Sequence, residues 1–279
     1  MTVCIIGLGL IGGSIAIALK ENSFAQRIIG VDFNSAHSDD AVRLGLVEET
    51  VSMTEGVKRS DLVIVAIPVD ATLELLPSIL DLVDQQVVMD VGSAKHMICN
   101  RVADHAKREN FVASHPMWGT ENSGPNAAVK GAFKNKAAVI CDKQHSSVQA
   151  VALVESIYKI LGMHIVYMDA ADHDVHTAYI SHVSHITSFA LANTVLEKEK
   201  EDNTIFELAS GGFESTVRLA KSNPSMWLPI FIQNKENVLD VLNEHIYQLK
   251  KFKACLEKEN FEYLDELMKN ANTIRRILK

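Results

Sequence analysis

Residues 3–14 read VCIIGLGLIGGS: four apolar residues, then Gly7, Gly9 and Gly12 in the spacing G-x-G-x-x-G, with Gly13 and Ser14 behind them. Residues 3–19 carry no charge at all. Such a run could be a membrane anchor, a signal peptide or a strand, turn and helix. A spanning helix needs roughly 20 predominantly apolar residues, whereas this run has 17, four of them glycine, before Lys20. A signal peptide would need a basic leader and a small-residue cleavage site. A strand, turn and helix account for the glycines. The first permits a tight turn, the second lets a pyrophosphate approach the backbone, and the third lets helix and strand pack closely. The diphosphate would then rest on the helix N-terminus, whose free N–H groups favour an anion. Asp32 stands 20 residues beyond Gly12, at the end of the next apolar run. A carboxylate there accepts from the adenosine ribose and repels a 2′-phosphate, so the predicted cofactor is NAD rather than NADP. Glycines alone could mark an unliganded turn; their context and Asp32 argue for a dinucleotide site.

The rest of the chain supports that frame. Its 279 residues, 47% hydrophobic and 22% charged, suggest a globular protein of about two domains. A formal net charge of −8 gives no reason to expect nucleic acid or an acidic membrane as partner. An anionic substrate would need a locally positive site. Cys4, Cys99, Cys141 and Cys255 are scattered without metal-ligand spacing, as expected of reduced thiols in a cytoplasmic protein.

Short apolar runs at 2–7, 27–32, 62–67, 86–90, 111–113, 137–141 and 164–167 read as strands, several buried on both faces. Helical patterns lie between them, for example at 12–21 and 71–82. This alternation predicts an α/β domain with a doubly wound, mostly parallel sheet over residues 1–168. Beyond Met168, apolar residues recur at spacings of three and four to the end, including Ile274, Ile277 and Leu278. Residues 169–279 therefore read as an all-helical domain, broken near Gly211 and at Asn223-Pro224. More apolar face than one such domain can bury suggests a homodimer. The charged stretch 197–202 reads as a solvated helix end or loop.

Four further clusters carry possible chemistry. SHPMWGTE at 114–121 follows a short strand and is expected in a loop at the sheet's carboxyl edge. A neutral imidazole at His115 could take a hydroxyl proton while hydride leaves the same carbon; a lone loop histidine is otherwise a surface residue. VGSAK at 91–95 offers Ser93 as a hydrogen-bond partner of substrate or nicotinamide, or as a helix N-cap. SHVSH at 181–185 puts His182 and His185 on one helix face. With His173 or His176 they could begin a metal site, but no acidic residue has a zincin spacing, so no metal is expected. Last, GGFESTVR at 211–218 is followed by NPSMW at 223–227, and Arg218 is the only arginine after Met168 before Arg275. Its alternative role is a surface salt bridge.

Together these pieces resemble the prephenate dehydrogenase family, which includes arogenate and cyclohexadienyl dehydrogenases. The resemblance runs nearly the whole chain, through GLGLIGGS, VGSxK, SHPMxGTE, the histidine pair, GGF and TxRxAxSxPxMW. It implies a Rossmann domain followed by a helical domain that forms much of a dimer. It implies that His115 deprotonates the ring hydroxyl of prephenate, supported by Ser93, and that Arg218 binds a substrate carboxylate. Glu121, His185, Gly211 and Trp227 would surround the substrate. Gly7, Leu8, Gly9, Ile11, Gly12, Asp32, Pro68 and Ser93 would contact NAD. The chain departs from the family pattern after Phe213, where Glu214 and Ser215 replace a basic residue and an aspartate. All residues after Met168 read as helical, so neither a separate ββαβ regulatory module nor an N-terminal mutase domain is expected.

Other dehydrogenases of similar architecture use a catalytic lysine and asparagine, or a cysteine in a glycine-rich loop. The K-x-x-N spacing fails at Lys130, because position 133 is Phe133, and none of the four cysteines lies in such a loop. A non-catalytic dinucleotide-binding protein would have no need of His115 and Arg218 in their flanking motifs.

Overall fold

A computed structural model describes residues 1–200 and 204–277. The end of the charged stretch 197–202, and Leu278, lie outside the described residues. The strands are β1 (Thr2–Ile6), β2 (Arg27–Val31), β3 (Glu49–Thr50), β4 (Leu62–Val65), β5 (Val87–Asp90), β6 (Phe111–Pro116), β7 (Ala137–Cys141) and β8 (His164–Met168). The helices among them are α1 (Leu10–Glu21), α2 (Ser35–Arg43), α3 (Met53–Lys58), α4 (Val69–Asp81), α5 (His96–Arg101) and α6 (Val148–Ile160). After β8 come α7 (Ala170–Thr177), α8 (Val183–Glu199), α9 (Gly211–Val217), α10 (Pro224–Gln233), α11 (Lys235–Glu257) and α12 (Phe261–Ala271). No strand follows β8 among the described residues.

The sheet has the order β3-β2-β1-β4-β5-β6-β7-β8. Every neighbouring pair is parallel except β6 and β7. The strand order turns back between β1 and β4, which opens a crevice at their carboxyl ends. Successive residues of β1 serve opposite faces: Val3 and Ile5 join one core with Ile15, Leu19 and Ile157, while Cys4 and Ile6 join the other with Leu76 and Ile98. Trp227 and Ile230 of α10 belong to this second core. That packing draws the early helices after β8 onto the sheet. The chain accordingly forms two compact units, Met1–Asn234 and Lys235–Lys279. In the second unit α11 and α12 pack on each other and leave Ile246, Leu249, Leu256, Phe261 and Met268 exposed.

Candidate active site

The glycine loop has the geometry of a phosphate cradle. Gly7 has φ +97°, and a Cβ there would strike the Ala66 carbonyl, so only glycine fits the turn. A Cβ on Gly9 would meet nothing within 4 Å. The backbone is open to a ligand where a pyrophosphate would lie. Gly9 caps α1 without a side-chain hydrogen bond, and no acidic residue occupies the first turn, so the helix N-terminus can receive an anion. Leu8 N donates to Asp32 Oδ2 at 2.9 Å and Asn34 N to Oδ1 at 2.9 Å. A carboxylate has about four lone-pair sites, so it can still accept from a ribose. Ile11 lies in the first turn of α1, and Pro68 is the N-cap of α4, just past β4. These residues fit NAD.

Next in the sheet, the ends of β5 and β6 carry a buried polar network. Asp90 and Lys95 form an ion pair with both side chains at 0% exposure. Gly92 N and Ser114 N also donate to the Asp90 carboxylate, at 2.9 and 3.1 Å. Ser114 Oγ donates to the Asp90 carbonyl at 2.7 Å, which leaves Tyr158 O–H to donate to Ser114 Oγ at 2.6 Å. Burial pushes the Tyr158 hydroxyl far up, so it stays protonated.

Two local expectations are corrected here. His115 is not in a loop. β6 continues through Pro116 because β7 pairs with it antiparallel, with His115 opposite Val139. Nor is Ser93 a helix N-cap. Helix α5 starts at His96, and Asp174 of α7 supplies its cap, accepting from Lys95 N at 2.8 Å and His96 N at 2.9 Å. The Ser93 hydroxyl is half-buried and has no hydrogen bond to another described residue.

His115 is half-buried, and its Nδ1 lies 2.9 Å from His173 Nε2. His173 Nδ1 lies 2.8 Å from Asp174 Oδ1. His173 and Asp174 are each 1% exposed. Burial, followed by the neighbouring His173, Lys95 and His182, holds His115 well below the usual imidazole range. It is therefore a neutral base at physiological pH. His115 Nε2 has no described protein partner.

Residues 170–199 form one continuous rod in which a π-helical stretch, Ala178–His182, separates α7 from α8. His182 and His185 share a face, as the spacing predicts. The His185 ring stacks on Trp227 with centroids 3.4 Å apart, and His182 meets the same indole edge-on at 5.9 Å. Burial pushes His182 down to about 4 and lowers His185 as well. Trp227 Nε1 is buried with no described partner. Asn234 Nδ2 lies 2.6 Å from the Asp174 carbonyl and 3.2 Å from His182 Nδ1. Among the described residues no group of three or more histidine, cysteine or acidic side chains is arranged to hold a metal ion.

Arg218 follows α9, whose first residue is the exposed Gly211. Its Nη1 donates to Glu121 Oε2 at 2.8 Å, with the guanidinium half exposed. The pair joins two of the residues expected around the substrate. The Glu121 backbone N–H, then Arg218, lower the Glu121 carboxyl. Sequence reasoning missed Asp90, Lys95, Ser114, Tyr158, Asp174 and Asn234. Asp90 ends a recognised strand and Lys95 closes a recognised motif, which were the available signals.

Known proteins fit the same outline. Residues 15–167 match the family model described as prephenate dehydrogenase, nucleotide-binding domain, and residues 169–270 match prephenate dehydrogenase, dimerization domain. The chain is 35% identical to a prephenate dehydrogenase of Bacillus subtilis, over 98% of this chain and 75% of the relative. It is 31% identical to a cyclohexadienyl dehydrogenase of Zymomonas mobilis, covering 99% of this chain and 96% of the relative. The crystal structure of Aquifex aeolicus prephenate dehydrogenase, in complex with hydroxyphenyl propionate and NAD+, superposes with a TM-score of 0.92 at 28% identity. That match covers 100% of this chain and 98% of the other. With both family models matched in order and the glycine cradle, His115 and Arg218 held in one compact unit, the chain belongs to the prephenate dehydrogenase family of NAD-dependent oxidoreductases.

Proposed function

We propose that this chain converts prephenate to 4-hydroxyphenylpyruvate and carbon dioxide, in tyrosine biosynthesis, with His115 as the base. The observation that carries this assignment is His115 itself. It is a neutral imidazole at the carboxyl end of β6, with one nitrogen engaged and Nε2 without a described partner. NAD, when bound, would supply the hydride acceptor, and Gly7, Leu8, Gly9, Ile11, Gly12, Asp32, Pro68 and Ser93 would hold it. His115 Nε2 takes the proton from the carbinol oxygen as hydride leaves the carbinol carbon, and returns it to the same oxygen when loss of carbon dioxide pushes the C–C bonding pair into the ring. The ring becomes aromatic, so the residues mainly position and deprotonate. Ser93 steadies the hydroxyl. Arg218 binds a carboxylate of the dianion, which a protein of net charge −8 must meet with a local cation. Glu121, His185, Gly211 and Trp227 form the surrounding pocket.

In this reading residues 1–168 bind the cofactor, and residues 169–279 bind substrate and join two copies into a homodimer. The match to a dimerization domain and the exposed apolar side chains of α11 and α12 support the dimer. A cytoplasmic location is supported by four free, buried cysteines. No helix of the described residues is long and apolar enough to cross a membrane. The test is His115→Asn, assayed with NAD and with prephenate or arogenate. Turnover falls by about 10²–10⁴ with cofactor affinity unchanged; near-normal turnover would remove His115 from the reaction.

A further inference from the structure

We propose that His173 and Asp174 are positioning residues that set which nitrogen of His115 is basic. The inference rests on His115 acting as the base. An ionised carboxylate can only accept hydrogen bonds. Asp174 already accepts from the backbone N–H groups of Lys95 and His96. His173 Nδ1, 2.8 Å from Asp174 Oδ1, must therefore carry a hydrogen. A neutral imidazole has one N–H, so His173 Nε2 is an acceptor. His115 Nδ1, 2.9 Å away, must then donate. The lone pair of His115 is left on Nε2, the nitrogen without a described partner.

Burial keeps both rings neutral, against which Asp174 pulls His173 upward. The other charged or titratable groups acting on the pair are Lys95, Asp90 and His182. When His115 takes the substrate proton, its Nδ1–H goes on donating to His173 and no ring has to turn. The same Asp174 carboxylate caps α5 and so anchors the loop that carries Ser93. One acidic side chain thus orients the histidine that holds the base and anchors the loop that carries Ser93.

The experiment is a two-bond ¹H–¹⁵N correlation on the full chain labelled with ¹⁵N-histidine, together with steady-state kinetics. In the wild type His115 shows a protonated Nδ1 and a bare Nε2, the minor tautomer of free histidine. His173→Leu removes the acceptor. His115 then moves toward the Nε2–H tautomer and turnover falls by about 10- to 100-fold, with the KM for NAD unchanged. His173→Gln offers an amide oxygen to the same Nδ1–H, holds the tautomer and recovers most of the turnover. A wild-type His115 protonated on Nε2 would overturn the inference, as would wild-type turnover in His173→Leu. Should the leucine variant fail to fold, the wild-type spectrum and the glutamine variant still decide. Normal turnover in His115→Asn would instead remove the base itself, whatever the tautomer.

Discussion

Lys95→Met is a severe test of the buried network. Methionine keeps the length and apolar stem of the side chain but removes the ammonium from a pair that is 0% exposed at both ends. Asp90 would remain as a buried carboxylate with two backbone donors, Gly92 N and Ser114 N. Removing one partner of a buried ion pair costs about 3–5 kcal/mol. Because those donors still solvate part of the charge, the low end, about 3 kcal/mol, is expected. Adding Asp90→Asn removes the stranded charge, although the amide leaves one of the two backbone donors without an acceptor. The double variant should recover roughly half the loss, since a buried pair contributes little net stability over its neutral replacement. Urea unfolding followed by tryptophan fluorescence is the assay. Trp118 and Trp227 are the only tryptophans and both lie in the first compact unit, so the signal reports on the unit that holds the pair. A loss below about 1 kcal/mol in Lys95→Met would refute the argument, because it would mean that water or another cation reaches Asp90.

Three further outcomes are expected. Arg218→Ala should raise the prephenate KM by about 10- to 100-fold, the loss of one charge-assisted hydrogen bond of roughly 1.5–3 kcal/mol. Arg218→Lys should recover only part of this, having charge without the fork; an unchanged KM in the alanine variant would make Arg218 a surface residue. Asp32 should favour NAD strongly over NADP in steady-state kinetics, and comparable efficiency with both would contradict its role. The protein should lose stability as pH falls from about 6.5 toward 4, because the buried His182, held near 4, binds its proton only after unfolding. The folded pKa is depressed, so the unfolded chain binds more protons in that window and stability rises with pH there. The share of His182 is about 3 kcal/mol, read from denaturation midpoints across the range, and His182→Asn should reduce the slope but not abolish it, because His115, His173 and His185 are lowered by burial too.

The cofactor half of the site was legible because its determinants are local. Gly7, Gly9, Gly12 and the start of α1 sit within a few residues, and Asp32 directly follows β2, the next strand. Strand β3 escaped notice because Glu49–Thr50 is one charged and one polar residue at a sheet edge, with no apolar run to mark it. The extension of β6 through His115 and Pro116 was hidden for a different reason. Proline is rare within strands, though tolerated at their ends and edges, and the residues that draw β6 onward belong to β7, more than 20 positions later. Ser93 offered itself as an alternative cap because serine is a good one; the actual cap, Asp174, lies 78–79 positions beyond the His96 and Lys95 N–H groups it accepts from. His173 stood out only as a possible metal ligand. Its contacts with His115 and Asp174 depend on how α7 meets the end of the sheet, which no spacing in the sequence encodes.

The π-helical stretch Ala178–His182 sets the rotational phase of the rod from Ala170 to Glu199. A π turn accommodates one residue more than an α turn over nearly the same rise, and each residue of an α-helix turns the chain by about 100°. The stretch therefore works as a built-in offset between two helical halves. The half before it aims His173 and Asp174 at the end of the sheet. The half after it brings His185 onto Trp227 and seats Ser188 against the Thr216 carbonyl and Ala220 N. Deleting one residue within 178–182 would let the rod close into a regular α-helix with its two halves near their present phase, whereas winding the full stretch as α-helix with no residue lost would swing the second half by about 100° relative to the first. His185 would leave the indole while Asp174 stayed at its post. The winding of residues 178–182, and not the side chains on either half, thus decides how the two halves face each other.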